Sequence, residues 1–121
     1  MSDPQGIDRL NAVRDVVRTF VSERDWEQFH TPKNLATALC VEAAELLEPF
    51  QWLKSGNIEE ISNEKQTEIR HEMADVFVYL IMLADKMNVD LIDAANEKIA
   101  LNSRKYPVEL VRGDARKSTE Y

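Results

Sequence analysis

A chain of 121 residues with 44% apolar content, three glycines and four prolines has the make-up of one folded domain, not of a disordered or fibrous polypeptide. Its 22 acidic and 15 basic residues leave a formal charge of −7, which excludes a general electrostatic field for nucleic acid and requires a cation to mediate binding of any small anionic ligand. No apolar run approaches the roughly 20 residues that span a bilayer, and the opening Met1-Ser2-Asp3-Pro4 lacks a basic-then-apolar leader, so the expectation is a cytoplasmic protein with no membrane partner.

No segment keeps a period-two alternation, so the fold class expected is all-α. Asp3-Pro4 predicts a cap and first-turn proline for helix one, which carries Ile7, Leu10, Val13, Val17, Phe20 and Val21 and ends near Ser22. The aromatic-rich, non-periodic segment from Glu23 to Thr31, with Trp26, Phe29 and His30, is expected to be a packed loop. Thr31-Pro32 opens helix two, which places Leu35, Leu39, Leu46 and Phe50 on one stripe and is expected to run to about Leu53 before Ser55-Gly56-Asn57. The single cysteine, Cys40, lies within it and is expected to be a buried packing residue.

Helix three is expected to start between Ile58 and Lys65 with Ser62 as a candidate cap, and to pack through Ile69, Val76, Leu80, Leu83 and Met87. After Asn88-Val89, Asp90 caps helix four, which carries Ile92, Ala95 and Ile99 and stops at Pro107. Residues 1–110 are thus expected to form the domain and residues 111–121 a polar tail.

The chemistry lies in the acidic residues of helices two and three. At about 100° per residue, Glu42 borders the Leu35–Leu39–Leu46 stripe and Glu45 sits beside it. Glu72 and Asp75 repeat that arrangement beside Val76 and Leu83. Two helices packed by those stripes bring four carboxylates together, and their repulsion calls for a cation. An all-oxygen set suits Mg²⁺, with Mn²⁺ as a substitute, and Mg²⁺ in turn favours phosphate ligands. Glu48 continues the series further from the stripe. A di-iron site finds only one Glu-x-x-His motif, Glu68 to His71, where two are required. The non-catalytic alternative is a helical interaction module whose acidic faces meet a basic partner or solvent.

These residues resemble a known family. The segments Arg24-Asp25-Trp26-Glu27-Gln28-Phe29-His30, Pro32-Lys33-Asn34-Leu35, Glu42-x-x-Glu45-Leu46-x-Glu48-x-Phe50-Gln51-Trp52 and Glu72-x-x-Asp75-Val76-x-Val78-Tyr79-Leu80 look like those of the MazG-like all-α nucleoside triphosphate pyrophosphohydrolases, nearest the dCTP pyrophosphatase branch. The resemblance spans roughly Ile7 to Pro107. It implies a four-helix bundle-like fold assembled as a homotetramer, a dimer of dimers. It also implies Mg²⁺-dependent hydrolysis of a deoxynucleoside triphosphate, dCTP or a modified dCTP, to the monophosphate and pyrophosphate. An all-α dUTPase or a broad-specificity hydrolase is the alternative within the class.

The resemblance further implies that Glu42, Glu45, Glu72 and Asp75 hold the metal, that Glu42, Glu45 and Glu48 serve catalysis, and that Trp26, His30, Lys33, Asn34, Trp52 and Tyr79 contact substrate. Lys98, Asn102, Lys105 and Tyr106 match a phosphate-facing pattern in which Lys105 replaces the usual arginine, and a lysine loses the bidentate fork. Val17 stands where dCTP-hydrolysing members carry a histidine that touches substrate.

Overall fold

The computed structural model describes residues 8–116 and Thr119, and among these every regular element is helical. Helix α1, Arg9–Glu23, starts later than the sequence suggests. The Asp8 carboxylate accepts from the N–H groups of Leu10 and Asn11 and so caps the helix at that point; Asp3 and Pro4 lie outside the described residues. At the other end the chain leaves through a left-handed residue, Asp25 at φ 53°. The Trp26 N–H donates to the Val21 carbonyl at 3.1 Å and the Asp25 N–H to the Ser22 carbonyl at 3.1 Å. This reciprocal pairing is a Schellman stop, and it fixes the backbone of Trp26 directly after the helix.

The segment expected to be a packed loop is instead a 3-10 turn, Glu27–Phe29, whose aromatic side chains stay largely in solvent: Trp26 is 44% and Phe29 59% exposed. Trp26 meets Phe20 edge-on, with ring centroids 5.8 Å apart at 71°, and the Arg24 guanidinium lies 3.7 Å over the other aromatic neighbour's ring, that of Phe20.

Helix α2 covers Pro32–Leu47, with the Thr31 hydroxyl accepting from the Asn34 N–H. It ends six residues before the expected Leu53, and Pro49 is the reason. Proline has no N–H to give to the Glu45 carbonyl, and the chain tightens into a 3-10 turn over Glu48–Phe50. A further 3-10 turn, Ile58–Glu60, precedes α3, Asn63–Lys86, whose cap is Ser62 as anticipated. Asn88, at φ 54°, closes α3. Helix α4, Leu91–Lys105, is capped by Asp90, and a short α5, Val108–Val111, follows Pro107.

The chain divides into two compact units, one up to Asn88 and the other from Val89 onward. In the first, α2 and α3 form the main interface and run antiparallel: Leu35 near the start of α2 shares a cavity with Ile81 and Met82, whereas Glu42 and Glu45 further on meet Glu72. Helix α1 lies against α3 and is tied to it by Arg18, whose Nε donates to Asp85 at 2.8 Å and whose Nη2 donates to the other carboxylate oxygen at 2.5 Å. The guanidinium holds the Asp85 carboxyl below its ordinary range, so this contribution is present above about pH 4 and fades as pH falls through the lowered value. Both side chains reach solvent, so Arg18→Ala is expected to lower the melting temperature only slightly at pH 7, a difference that disappears at pH 2.

The hydrophobic core of the described residues is thin. Val21, Leu35, Ile81 and Ala84 are its buried members, and Leu35 alone is almost wholly enclosed. Leu80 and Met87, expected on the inner stripe of α3, are exposed, as is Cys40, expected to be buried. Cys40 lies on the side of α2 away from Leu35, with Ala36, Ala43 and Leu47, and all four are exposed. Helix α2 is thus apolar on both sides, and on α3 Met73, Phe77 and Leu80 form a second exposed stripe at four- and three-residue spacing.

Candidate metal centre

Antiparallel packing of α2 on α3 brings Glu42 and Glu45, one helical turn apart, opposite Glu72. One carboxylate oxygen from each lies within 4.8 Å of the others. The three residues are half-buried, and Glu42 Oε2 and Glu72 Oε2 are enclosed without a hydrogen-bond partner. An acceptor left unsatisfied in this way costs free energy unless something positive meets it.

The electrostatics follow from crowding. Burial pushes the Glu42 carboxyl up to about 7, and its hydrogen bond with Glu45 and the charges of Glu45, Asp75 and Glu72 push it the same way. Glu72 is raised as well, by desolvation first and then by Glu45, Asp75, Glu48 and Glu68. The donor set fits a hard divalent cation: oxygen ligands only, two of them orphaned, and all within 4.8 Å of one another. Among the described residues no histidine joins the group, and His71 is exposed.

The other predicted residues distribute unevenly. Asp75 is exposed and outside the trio, one helical turn beyond Glu72, yet near enough for its charge to act on both raised carboxyls. Glu48 has left α2 for the 3-10 turn and is exposed. Tyr79, half-buried, lies one turn beyond Asp75 on α3. Lys33 points from the first turn of α2 into solvent, whereas the Asn34 amide turns back to donate to the Phe29 carbonyl at 2.9 Å, bracing the 3-10 turn after Trp26. Trp52, past the end of α2, is 89% exposed. Lys98, Asn102, Lys105 and Tyr106 belong to the second unit, where the Lys105 ammonium lies 5.7 Å from the centre of the Tyr106 ring.

A cavity of about 30 Å³ opens between α1, α2 and α3. Val17, Val21, Leu35, Ile81 and Met82 give it an apolar floor, and Arg14, Arg18, Glu27, His30, Asp85 and Lys86 complete its wall. Of these, His30 was singled out from sequence as a contact residue and Val17 as a departure. Arg14, Arg18, Asp85 and Lys86 were not, because helical phase within α1 or α3 cannot say which polar residue turns toward the other helix.

Comparison with known proteins agrees with this architecture. Residues 37–120, which contain all four metal candidates, match the model of the MazG-like family. The chain belongs to the MazG-like family. Human dCTP pyrophosphatase 1 is 42% identical over 113 residues, covering 92% of this MazG-like chain and 66% of the human protein; the mouse protein of the same name is 40% identical over the same length. The chain thus spans just under two thirds of the human relative's length. Among solved structures, the crystal structure of a pyrophosphatase from Archaeoglobus fulgidus superposes with a TM-score of 0.78 at 40% identity, over 84% of this chain and 94% of that one.

Proposed function

We propose that this MazG-like chain is a nucleoside triphosphate pyrophosphohydrolase that uses Mg²⁺ and takes dCTP or a modified dCTP to the monophosphate and pyrophosphate. The observation that carries the reading is the trio Glu42, Glu45 and Glu72 with two enclosed, unpartnered oxygens, in a chain whose curated relatives are named dCTP pyrophosphatase. Glu42, Glu45 and Glu72, with Asp75 swinging in from the next turn, would hold the cation. The chemistry such a cation would supply there is charge neutralisation on the triphosphate and activation of the attacking water.

The protein's own groups supply the rest. Glu45 or Glu48 orients the attacking water and accepts its proton. The two exposed tryptophans, Trp26 and Trp52, offer stacking faces for the base, and Tyr79 sits beside the sugar. His30, Lys33, Lys98, Asn102, Lys105 and Tyr106 are the further substrate contacts, with Asn34 acting through the turn it braces. Val17, on the apolar floor of the cavity, provides no hydrogen-bond donor to a base, which favours tolerance of substituents over strict reading of cytosine.

The same chain is proposed to act as a homotetramer, a dimer of dimers, in the cytoplasm. Support comes from the thin core and from the apolar stripes on α2 and α3 that stay partly exposed among the described residues.

The deciding experiment compares kcat/KM for dCTP, 5-methyl-dCTP, dUTP, dTTP and ATP, with pyrophosphate as the measured product. The expected order puts dCTP and 5-methyl-dCTP first, with activity lost in excess EDTA and restored by Mg²⁺ or, in part, by Mn²⁺. Turnover that survives EDTA removes the metal from the reaction, and a preference for dUTP assigns the chain to the alternative substrate. No Mg²⁺ uptake and no turnover of any of the five would leave the acidic interaction module.

A further inference from the structure

The loop between Trp52 and α3 is tied by one side chain. The Glu60 carboxylate accepts from the Lys54 N–H at 3.0 Å through one oxygen and from the Ser55 N–H at 2.9 Å through the other, which also takes the Ser55 hydroxyl. The Ser55 oxygen in turn accepts from the Asn57 N–H at 3.2 Å. These bonds hold the Glu60 carboxyl below its ordinary range, led by the hydroxyl, so the clasp stays charged at neutral pH. A second pin lies nearby. Gly56 adopts φ +73°, and a Cβ built there would sit 3.4 Å from Phe50 Cδ1, so the loop doubles back against the Phe50 ring.

A turn made of Lys54, Ser55, Gly56 and Asn57 has no apolar side chain to bury and would be mobile without such a clasp. Only Leu53 separates the clasped amides from Trp52, and the Leu53 N–H donates to the Phe50 carbonyl at 2.9 Å. Trp52 itself is almost fully in solvent, so packing within the chain does not hold its indole in place. A stacking platform that must first be ordered charges its ordering entropy to binding, and one already held does not.

We infer that Glu60 is a positioning residue: by gathering the amides of Lys54 and Ser55 and the Ser55 hydroxyl, it holds the backbone of the 51–57 loop so that Trp52 is offered to a nucleobase from an ordered backbone. The inference rests on the proposed nucleotide hydrolysis and adds to it a residue that touches neither metal nor substrate. Glu60 acts on base binding and not on the carboxylate centre, so its removal affects KM and spares kcat.

The test is a double-mutant cycle of Glu60→Ala and Trp52→Ala with steady-state kinetics on dCTP, alongside amide hydrogen exchange of the 51–60 peptide in the unliganded protein. Glu60→Ala is expected to speed exchange in that peptide, to raise KM about 5- to 10-fold, a part of what one base stack supplies, and to change kcat less than twofold. In the Trp52→Ala background it is expected to raise KM no further, because its effect travels through Trp52. Ser55→Ala, which keeps both backbone donors, is expected to give a smaller shift in the same direction. Unchanged exchange, an unchanged KM, or a KM effect that persists without Trp52 overturns the inference while leaving the function in place. A wild-type chain that hydrolyses no nucleotide overturns the function itself, and with it the role of the clasp in binding, although the exchange measurement still reads the clasp.

Discussion

Glu42→Gln is expected to reduce kcat/KM for dCTP by at least about a thousandfold while leaving the helical circular dichroism near that of the wild type. The amide is isosteric and fills the same space, but it cannot contribute the charge that would draw a divalent ion to the trio. Loss of several kcal/mol of transition-state stabilisation corresponds to that factor. Asp75→Asn is expected to act in the same direction, and the comparison is informative because Asp75 is exposed and outside the trio. An Asp75→Asn enzyme with full activity would confine the metal centre to the three glutamates.

The Glu42 variant has a second signature, in stability. The folded chain raises the Glu42 carboxyl from 4.5 to about 7 without metal, so the protonated form is the one folding favours. This contribution is complete below about pH 4.5 and is lost as pH rises toward 7. Metal-free wild type should therefore melt lower at pH 7.5 than at pH 5.5, by about 5 °C once partial solvent exposure is allowed for, and Mg²⁺ should restore the loss. Glu42→Gln should flatten this dependence and abolish the Mg²⁺ response. A mutant that still gains melting temperature from Mg²⁺ would mean that the ion binds elsewhere.

Phe77→Asp is the second change with a large expected effect: conversion of the proposed tetramer to smaller species by sedimentation velocity, with a fall in melting temperature above about 10 °C. Phe77 sits between Met73 and Leu80 on a side of α3 that stays partly exposed, and Leu47 is exposed on the outer stripe of α2. Among the described residues only four hydrophobic side chains are buried, and burial of both stripes between copies would add about 25 cal/mol for each Å² of apolar surface. Leu47→Asp should behave alike. The control is Val16→Asp, a substitution on an exposed residue of α1 outside both stripes, which should leave the assembly intact. Wild type that sediments as a monomer, or a Phe77→Asp protein that keeps its assembly, would remove these stripes as interfaces.

The all-helical fold and most boundaries were legible because the punctuation is local. Thr31 before Pro32, Ser62 and Asp90 each cap a helix through a hydroxyl or carboxylate that needs only its own next three residues, and all three sit where the sequence places them. The errors came where two local signals compete. Asp8 caps α1 where the sequence signal was Asp3-Pro4, which lies outside the described residues, and Pro49 stops α2 although the apolar spacing runs on to Phe50. The candidate centre was legible to the extent that phase is: Glu42, Glu45 and Glu72 border their apolar stripes, so the packing of those stripes carries them together.

What the sequence determined by itself was the set of helices, their caps and the side of each that carries acid beside apolar surface, since 100° per residue is a property of the backbone alone. The tertiary structure decided the rest. It set the antiparallel register that aligns Glu42 and Glu45 with Glu72 and leaves Asp75 a turn away. It enclosed two carboxylate oxygens and lifted the Glu42 carboxyl toward neutrality, left Cys40 and Phe77 facing outward, and closed the Glu60 clasp beside Trp52. Each of these depends on which groups from distant parts of the chain share one low-dielectric space, and no local periodicity encodes that neighbourhood.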